Sequence, residues 1–306
     1  MPETVLQARQ SATPATPAVP IAGPTRRPSQ SGGLRGALPT WLVRHGGTVL
    51  AGAVLLLVIT AAVTPHLLAP GDPLLSVPSH RLRPPGPQHW FGTDQLGRDL
   101  YTRIVYGAGR SLTATTLAVG IALGVGSVLG LLAGAVGGTV DTVLMRTVDV
   151  LLSVPSLLLS LALVTALGFG TVNVAIAVGV SLVASFARVM RSEVLRVKHA
   201  PYIEAARASG VRPAGILARH ILPNSVLPVL SLAAVEFGGA VLAISALSFL
   251  GFGAAPPTPE WGSLIADGRN YLATAWWLST LPGLVIVATV LAANVLARAL
   301  APEEHR

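Results

Sequence analysis

Cysteine is absent from all 306 residues. That excludes a disulfide framework, a thiolate metal site and a catalytic thiol. Charge is nearly as scarce. Asp, Glu, Lys and Arg make up 11% of the chain, against about 25% in soluble domains. Acidic residues are the rarer sign, at 13 against 21 basic ones. Common catalytic signatures are missing too. No G-x-x-x-x-G-K-[ST] stretch occurs, so the chain has no phosphate-cradling loop and no ATPase site of its own is expected. Neither H-E-x-x-H nor G-x-S-x-G is present. The seven histidines are scattered without ligand-like pairing. His45, His66, His80 and His89 read as ordinary residues of segment ends and loops. No catalytic residue, resident metal or cofactor is expected on this chain.

What is present is apolar surface. Hydrophobic residues make up 52% of the chain and the mean hydropathy is +0.66. Six continuous apolar stretches cover about 46–68, 111–136, 148–167, 172–189, 226–249 and 279–299. A helix needs roughly 20 such residues to cross a bilayer core of about 30 Å. A membrane β-barrel would alternate in polarity along each strand, and these stretches do not. The expected fold is therefore an all-α polytopic membrane protein with six transmembrane helices. Residues 1–40 hold no apolar run and are rich in Pro, Ala, Thr, Ser and Gly. They read as a disordered tail and not as a cleaved signal peptide. The remaining organisation is a first helix with an extracytoplasmic region (41–110), five further helices (111–300) and a short C-terminal tail (301–306).

Basic residues set the orientation, because Lys and Arg accumulate on the cytoplasmic side. With the N-terminus inside, fifteen of them fall inside and six outside. Seven of the fifteen lie in one loop, from Arg188 to Arg219. Both termini then lie in the cytoplasm. A pI near 11.1 prompts the question of nucleic acid. Yet the basic residues fall between apolar runs, with no basic face interleaved with aromatics, so the expected surroundings are a lipid bilayer and no nucleic acid.

The loop at 190–224 is the longest polar interruption between the later apolar stretches. Glu204-Ala205-Ala206-Arg207-Ala208 are mostly good helix formers. Gly210 suits a positive-φ helix stop, where only a small residue permits the turn and a close approach. Pro213 suits the first turn of a second short helix, and Pro223 is expected to end the loop before the fifth span. A helix, sharp turn and helix across the cytoplasmic face would act as a lever on the spans at its ends. The alternative is an amphipathic surface helix held to anionic lipid by its arginines.

The motifs here resemble those of a known family. Glu204-Ala205-Ala206, Gly210 and Leu222-Pro223 match the loop of the permease subunits of ATP-binding-cassette importers. His220 departs from the general pattern, and Arg219-His220-Ile221-Leu222-Pro223-Asn224 resembles the dipeptide/oligopeptide/nickel branch. Three further stretches look like the second permease subunit of that branch: 89–99 (HWFGTDQLGRD), 247–253 (LSFLGFG) and 256–262 (PPTPEWG). The resemblance covers about 40–300. It implies a multi-pass protein of the bacterial cytoplasmic (inner) membrane, forming half of a path for di- or oligopeptides, with nickel or another solute as alternatives. It also implies a second homologous permease, two ATPase subunits carrying ATP and magnesium, and an extracytoplasmic binding protein docking on the outer loops. Glu204, Ala205, Ala206, Gly210, Leu222 and Pro223 would then be the ATPase-coupling residues, with Glu204 anchoring the hairpin.

Other residues carry two readings each. Glu236 interrupts the fifth apolar stretch, and an ionisable group there faces a hydrated path or pairs with a neighbouring helix. Asn173 and Asn294 read as packing or interfacial groups. Gly126, Gly130, Gly134 and Gly138 are spaced by four and suit close helix packing, within the chain or at a subunit interface. Asp94 and Asp99 flank Gly97 and read as a turn into an amphipathic helix at Leu100, since a calcium loop needs more oxygen ligands. Trp261, Trp276 and Trp277 suit the membrane–water interface. The rival of a different class is a stand-alone secondary transporter or channel, for which an internal repeat would speak. None is evident. An intramembrane enzyme needs more clustered polar groups than Glu236 alone.

Overall fold

A computed structural model describes residues 40–300, with side chains over 46–299. The tails expected at 1–40 and 301–306 lie outside the described residues, save for Thr40. Helix α1 spans Thr40–Val63, and a short α2 follows at Pro65–Leu68. A long irregular segment then leads to α3, Leu100–Val136. Next come α4 (Gly138–Ser153), α5 (Ser156–Leu167) and α6 (Thr171–Lys198). The polar loop holds α7 (Pro201–Ala208) and α8 (Pro213–Ile216). A π turn at Leu217–Ile221 joins α8 to α9, Leu222–Phe249. The chain closes with α10 (Trp261–Gly268) and α11 (Trp277–Leu300). There is no β-strand among the described residues, only an isolated bridge between Thr93 and Asp99.

Five helices are long and apolar enough to cross a membrane, and the α4–α5 pair makes a sixth if taken as one bent span. That pair turns by 94° at Val154-Pro155. Pro155 has no N–H to continue the α4 ladder, and the residue before a proline is pushed out of helical geometry. Val154 accordingly takes φ −95° and ψ 129°. The single span expected at 148–167 is therefore two helices.

Helix α3 is the longest of the set and pairs chiefly with α6. A Cβ built on Gly126 would stand 2.5 Å from Phe186 Cβ, and one on Gly134 would stand 2.7 Å from Val194 Cγ1. On α6, a Cβ at Gly179 would come within 2.8 Å of the Ala118 carbonyl oxygen. Residue numbers rise together along the two helices, so α3 and α6 are parallel. The connection through α4 and α5 must carry the chain back from one end of α3 to the other. The glycine stripe is thus packing within the chain at Gly126, Gly130 and Gly134. Gly138 leaves the stripe: it opens α4 with φ +58°, and nothing lies near its Cβ position.

Helix α3 begins at Leu100, well before the apolar stretch. Asp99 is its N-cap and accepts from the Thr102 N–H at 2.8 Å and its hydroxyl at 2.9 Å. This satisfies one of the donors that open every helix. Asp94 is buried beside it. One carboxylate oxygen meets Arg98 Nε at 2.6 Å and Arg103 Nη1 at 2.7 Å. The other accepts from the N–H groups of Leu96 and Arg98. Both acidic groups are thus occupied by structure, as the turn reading required.

Two tryptophans depart from the interfacial role. Trp261 and Trp277 are buried. Trp261 Nε1 donates to the Ile104 carbonyl at 3.0 Å, and Trp277 Nε1 donates to that of Thr93 at 3.2 Å. A buried indole needs such a partner, and irregular or helix-end carbonyls supply it. Trp276 is exposed. These contacts tie α10, α11 and the segment before α3 into one apolar cluster at the end of the bundle opposite α7.

Candidate functional site

Helix α6 runs past its apolar stretch to Lys198 because its polar turns find partners. Arg191 reaches Asp141 on α4 through two nitrogens, at 2.5 and 2.6 Å. Lys198 Nζ donates to the carbonyls of Gly134 and Ala135 at 3.1 and 2.9 Å. Those groups end α3 and have no partner within the helix, and a cation also suits the negative end of the helix dipole. Two of the loop's basic residues therefore fasten α6 to its neighbours.

Helix α7 starts with Pro201 in its first turn, where the missing N–H costs nothing. Ile203 is fully buried and Ala206 half-buried against the main core. Glu204, Ala205, Arg207 and Ala208 face outward. The helix ends in a Schellman arrangement. The Val211 N–H donates to the Ala206 carbonyl at 3.2 Å and the Gly210 N–H to that of Arg207 at 3.0 Å, with Gly210 at φ +78°. That backbone conformation favours glycine. Space does not: nothing lies within 4 Å of a Cβ built there. Conformation, and not close approach, demands the glycine.

Beyond Gly210 the chain enters α8, pinned by buried Ile216. The expected stop at Pro223 does not occur. Pro223 lies in the first turn of α9, and the helix passes from Pro213 to Phe249 as one span. The π turn makes this possible. The Leu222 N–H donates to Leu217, five residues back, which widens the turn ahead of the proline ring. Asn224 Nδ2 supplies the His220 carbonyl at 2.6 Å. Helices α7 and α8 thus form a hairpin whose second arm is the base of a rod of about 55 Å, at 1.5 Å per residue.

Of the residues picked from sequence, Glu204, Ala205, Ala206 and Gly210 come together on the hairpin. Leu222 and Pro223 sit further up the rod, roughly 15 Å beyond Pro213 by helical rise. Leu222 is half-buried and Pro223 exposed. A cleft of about 610 Å³ opens beside the hairpin, bordered by Val136, Lys198, Arg207, Val211 and Leu217. Glu236 lies mid-rod and half-buried. Its carboxylate shows no hydrogen bond or ion pair among the described residues. Asn173 caps the end of α5, donating to the Leu167 carbonyl at 3.1 Å. Asn294 donates to its own helix at Val290, beside Gly238.

At the opposite end, sequence reasoning missed two acidic groups. Glu260 is fully buried and accepts from Ser248 and from the Ala254 N–H. Asp267 lies 3.8 Å from Arg103. Burial pushes its carboxyl up from the ordinary range, against the pull of Arg103 and Arg98. The only signal for Glu260 was its place beside Trp261 in the PPTPEWG stretch.

An uninterrupted rod, a glycine-stopped helix exposing its polar face and close-packed parallel spans describe a polytopic helical membrane protein. The family model for the binding-protein-dependent transport system inner membrane component matches residues 126–305, and the chain belongs to that family. Within it, the chain is an importer permease of the peptide type. It is 42% identical over 238 residues to the dipeptide transport system permease protein DppC of Alkalihalophilus pseudofirmus, covering 78% of each chain. It is 38% identical over 259 residues to the di/tripeptide transport system permease protein DppC of Pseudomonas aeruginosa, covering 82% of this chain and 86% of that one. It is 39% identical over 255 residues to the glutathione transport system permease protein GsiD of Pectobacterium atrosepticum, covering 83% and 85%. Among solved structures, an inward-facing MetNI methionine ABC transporter shares the fold. The TM-score is 0.54 at 17% identity, covering 66% of this chain and 98% of that one.

Proposed function

We propose that the chain forms half of the translocation path of a bacterial inner-membrane importer for di- or oligopeptides. A second, homologous permease completes the path. Two cytoplasmic ATPase subunits, holding ATP and magnesium, power it, and an extracytoplasmic binding protein delivers the peptide. The α4–α5 pair counts as one bent crossing, which gives six spans with both termini in the cytoplasm. Parallel packing of α3 and α6 supports that count, since an odd number of crossings must separate parallel spans. The outer end of the bundle then carries the surface where the binding protein docks.

The observation that carries the reading is the continuity of Pro213–Phe249 with a hairpin that exposes Glu204, Ala205 and Arg207. A helix seated in an ATPase groove moves when the ATPase closes. An unbroken rod delivers that movement through the membrane, shifting the balance between outward- and inward-open states. Glu236, half-buried on the same rod without a partner among the described residues, faces the path in this reading. Gly210→Val tests it. A β-branched side chain strains a positive-φ position, so the hairpin is expected to lose its geometry. In vesicles holding the full complex, ATP hydrolysis should persist while peptide uptake falls at least tenfold. Uptake at the original rate per ATP would overturn the reading. Uptake by this chain alone would favour a stand-alone transporter. Screening the binding protein for ligands separates peptides from nickel.

A further inference from the structure

The outer end of the α9 rod is fastened by a carboxylate that has no cationic partner among the described residues. Glu260 lies fully buried at the start of α10. Its Oε1 accepts from the Ser248 hydroxyl at 2.5 Å, one residue before the rod ends at Phe249. Its Oε2 accepts from the Ala254 N–H at 2.9 Å. The connector between α9 and α10 is thereby folded back and closed at its base. No arginine or lysine pairs with Glu260 among the described residues, although leaving a carboxylate buried is costly. Two glycines make room for it. A Cβ at Gly253 would stand 2.6 Å from Glu260 Oε2, and one at Gly262 would stand 2.7 Å from Ser248 Cβ. The next residue grips a different helix. Trp261 donates its backbone N–H to Ser111 Oγ at 3.2 Å and its indole N–H to the Ile104 carbonyl at 3.0 Å, both on α3. Adjacent residues therefore hold α9 and α3 in one joint.

We infer that Glu260 is a positioning residue for transport, locking the outer end of the α9 rod to α3 so that movement entering at the hairpin arrives undiminished at the outer face. This rests on the reading of α9 as the transmitting rod. Helix α3 is close-packed on α6 through its glycines, so the joint recruits both helices to the rod's motion. Without it, the rod's outer end swings independently and ATP is spent with less transport.

Three variants in the full complex, reconstituted with its binding protein and a dipeptide, test the inference. Glu260→Ala removes both acceptors. Peptide imported per ATP should fall about tenfold, on the scale of one or two lost charge-assisted hydrogen bonds. The concentration of loaded binding protein giving half-maximal uptake should stay unchanged. Glu260→Gln keeps the shape: its carbonyl accepts from Ala254 and its amide donates to Ser248 Oγ. It should transport within about twofold of the parent. Ser248→Ala removes one hydroxyl and should lie between. It carries the test if Glu260→Ala does not assemble. Parental coupling in Glu260→Ala or Ser248→Ala overturns the inference, as does a Gln variant as impaired as Ala. If these variants couple normally while Gly210→Val is uncoupled, the joint is wrong and the transport reading stands. If Gly210→Val also couples normally, the rod itself is not the transmitter.

Discussion

Polar side chains in this protein act chiefly as fasteners at helix ends. Asp99 caps α3 at one end and Lys198 closes it at the other. Asp99 also receives His89 Nδ1 at 2.8 Å, and His89 meets His80 Nδ1 at 3.1 Å. Partial burial, Arg83 and His89 all lower the His80 pKa below the ordinary histidine value. The sign follows directly. When the segment opens, His80 takes up a proton more readily than it does in place, so the opened state gains as pH falls through about 6.5. Hydrogen-exchange protection over residues 78–99, taken relative to the intrinsic rate at each pH, should fall as pH drops below about 6.5. His80→Gln should flatten that dependence. An unchanged profile would show that His80 does not set it.

At the scale of elements, close approach of α3 and α6 is the organising contact. Gly130 faces Ala187 and Met190, and a Cβ there would stand 2.8 Å from Met190 Cβ and 2.9 Å from the Arg191 nitrogen. Backbone cannot step aside as a flexible side chain can. Gly130→Ala should therefore destabilise the isolated chain in detergent by about 1–3 kcal/mol, the usual cost of overpacking. Gly120 lies on the same helix with nothing within 4 Å. There the alanine should stabilise by roughly 0.5–1 kcal/mol through helix propensity alone. Equal thermal shifts for the two variants would contradict the packing account. Both glycines look alike in the sequence, and only Gly126, Gly130 and Gly134 turn toward α6. Hydropathy marked where apolar helices lie but not what they meet. The turn at Asp94–Asp99 announced a helix from Leu100, but hydropathy did not join it to the span at 111–136, because Arg103 reads as polar when its charge is in fact buried on Asp94. It missed the continuity of α9, because Pro223 is an ordinary breaker until a π turn precedes it. Gly210 and Asp99 were legible, since each depends on its immediate neighbours. Trp261 and Glu260 were not, since their partners lie on helices distant in sequence.

For the whole molecule, the decisive quantity is the number of crossings, because it places the hairpin and the Glu260 joint on opposite faces of the membrane or on the same one. Helix α4 alone rises about 24 Å and α5 about 18 Å, so neither matches a bilayer core of about 30 Å unaided. Together they return the chain between two parallel helices. The proposed six-span arrangement puts Ser209 in the cytoplasm and Leu96 outside. Both positions are exposed, and the absence of native cysteine leaves a clean background for labelling. In intact cells, a membrane-impermeant thiol reagent should modify Leu96→Cys and spare Ser209→Cys. In inverted membrane vesicles the pattern should reverse. Modification of both from one side would contradict the parallel packing of α3 and α6, which requires an odd number of crossings between them, and with it the path of the α9 rod from hairpin to joint across the membrane.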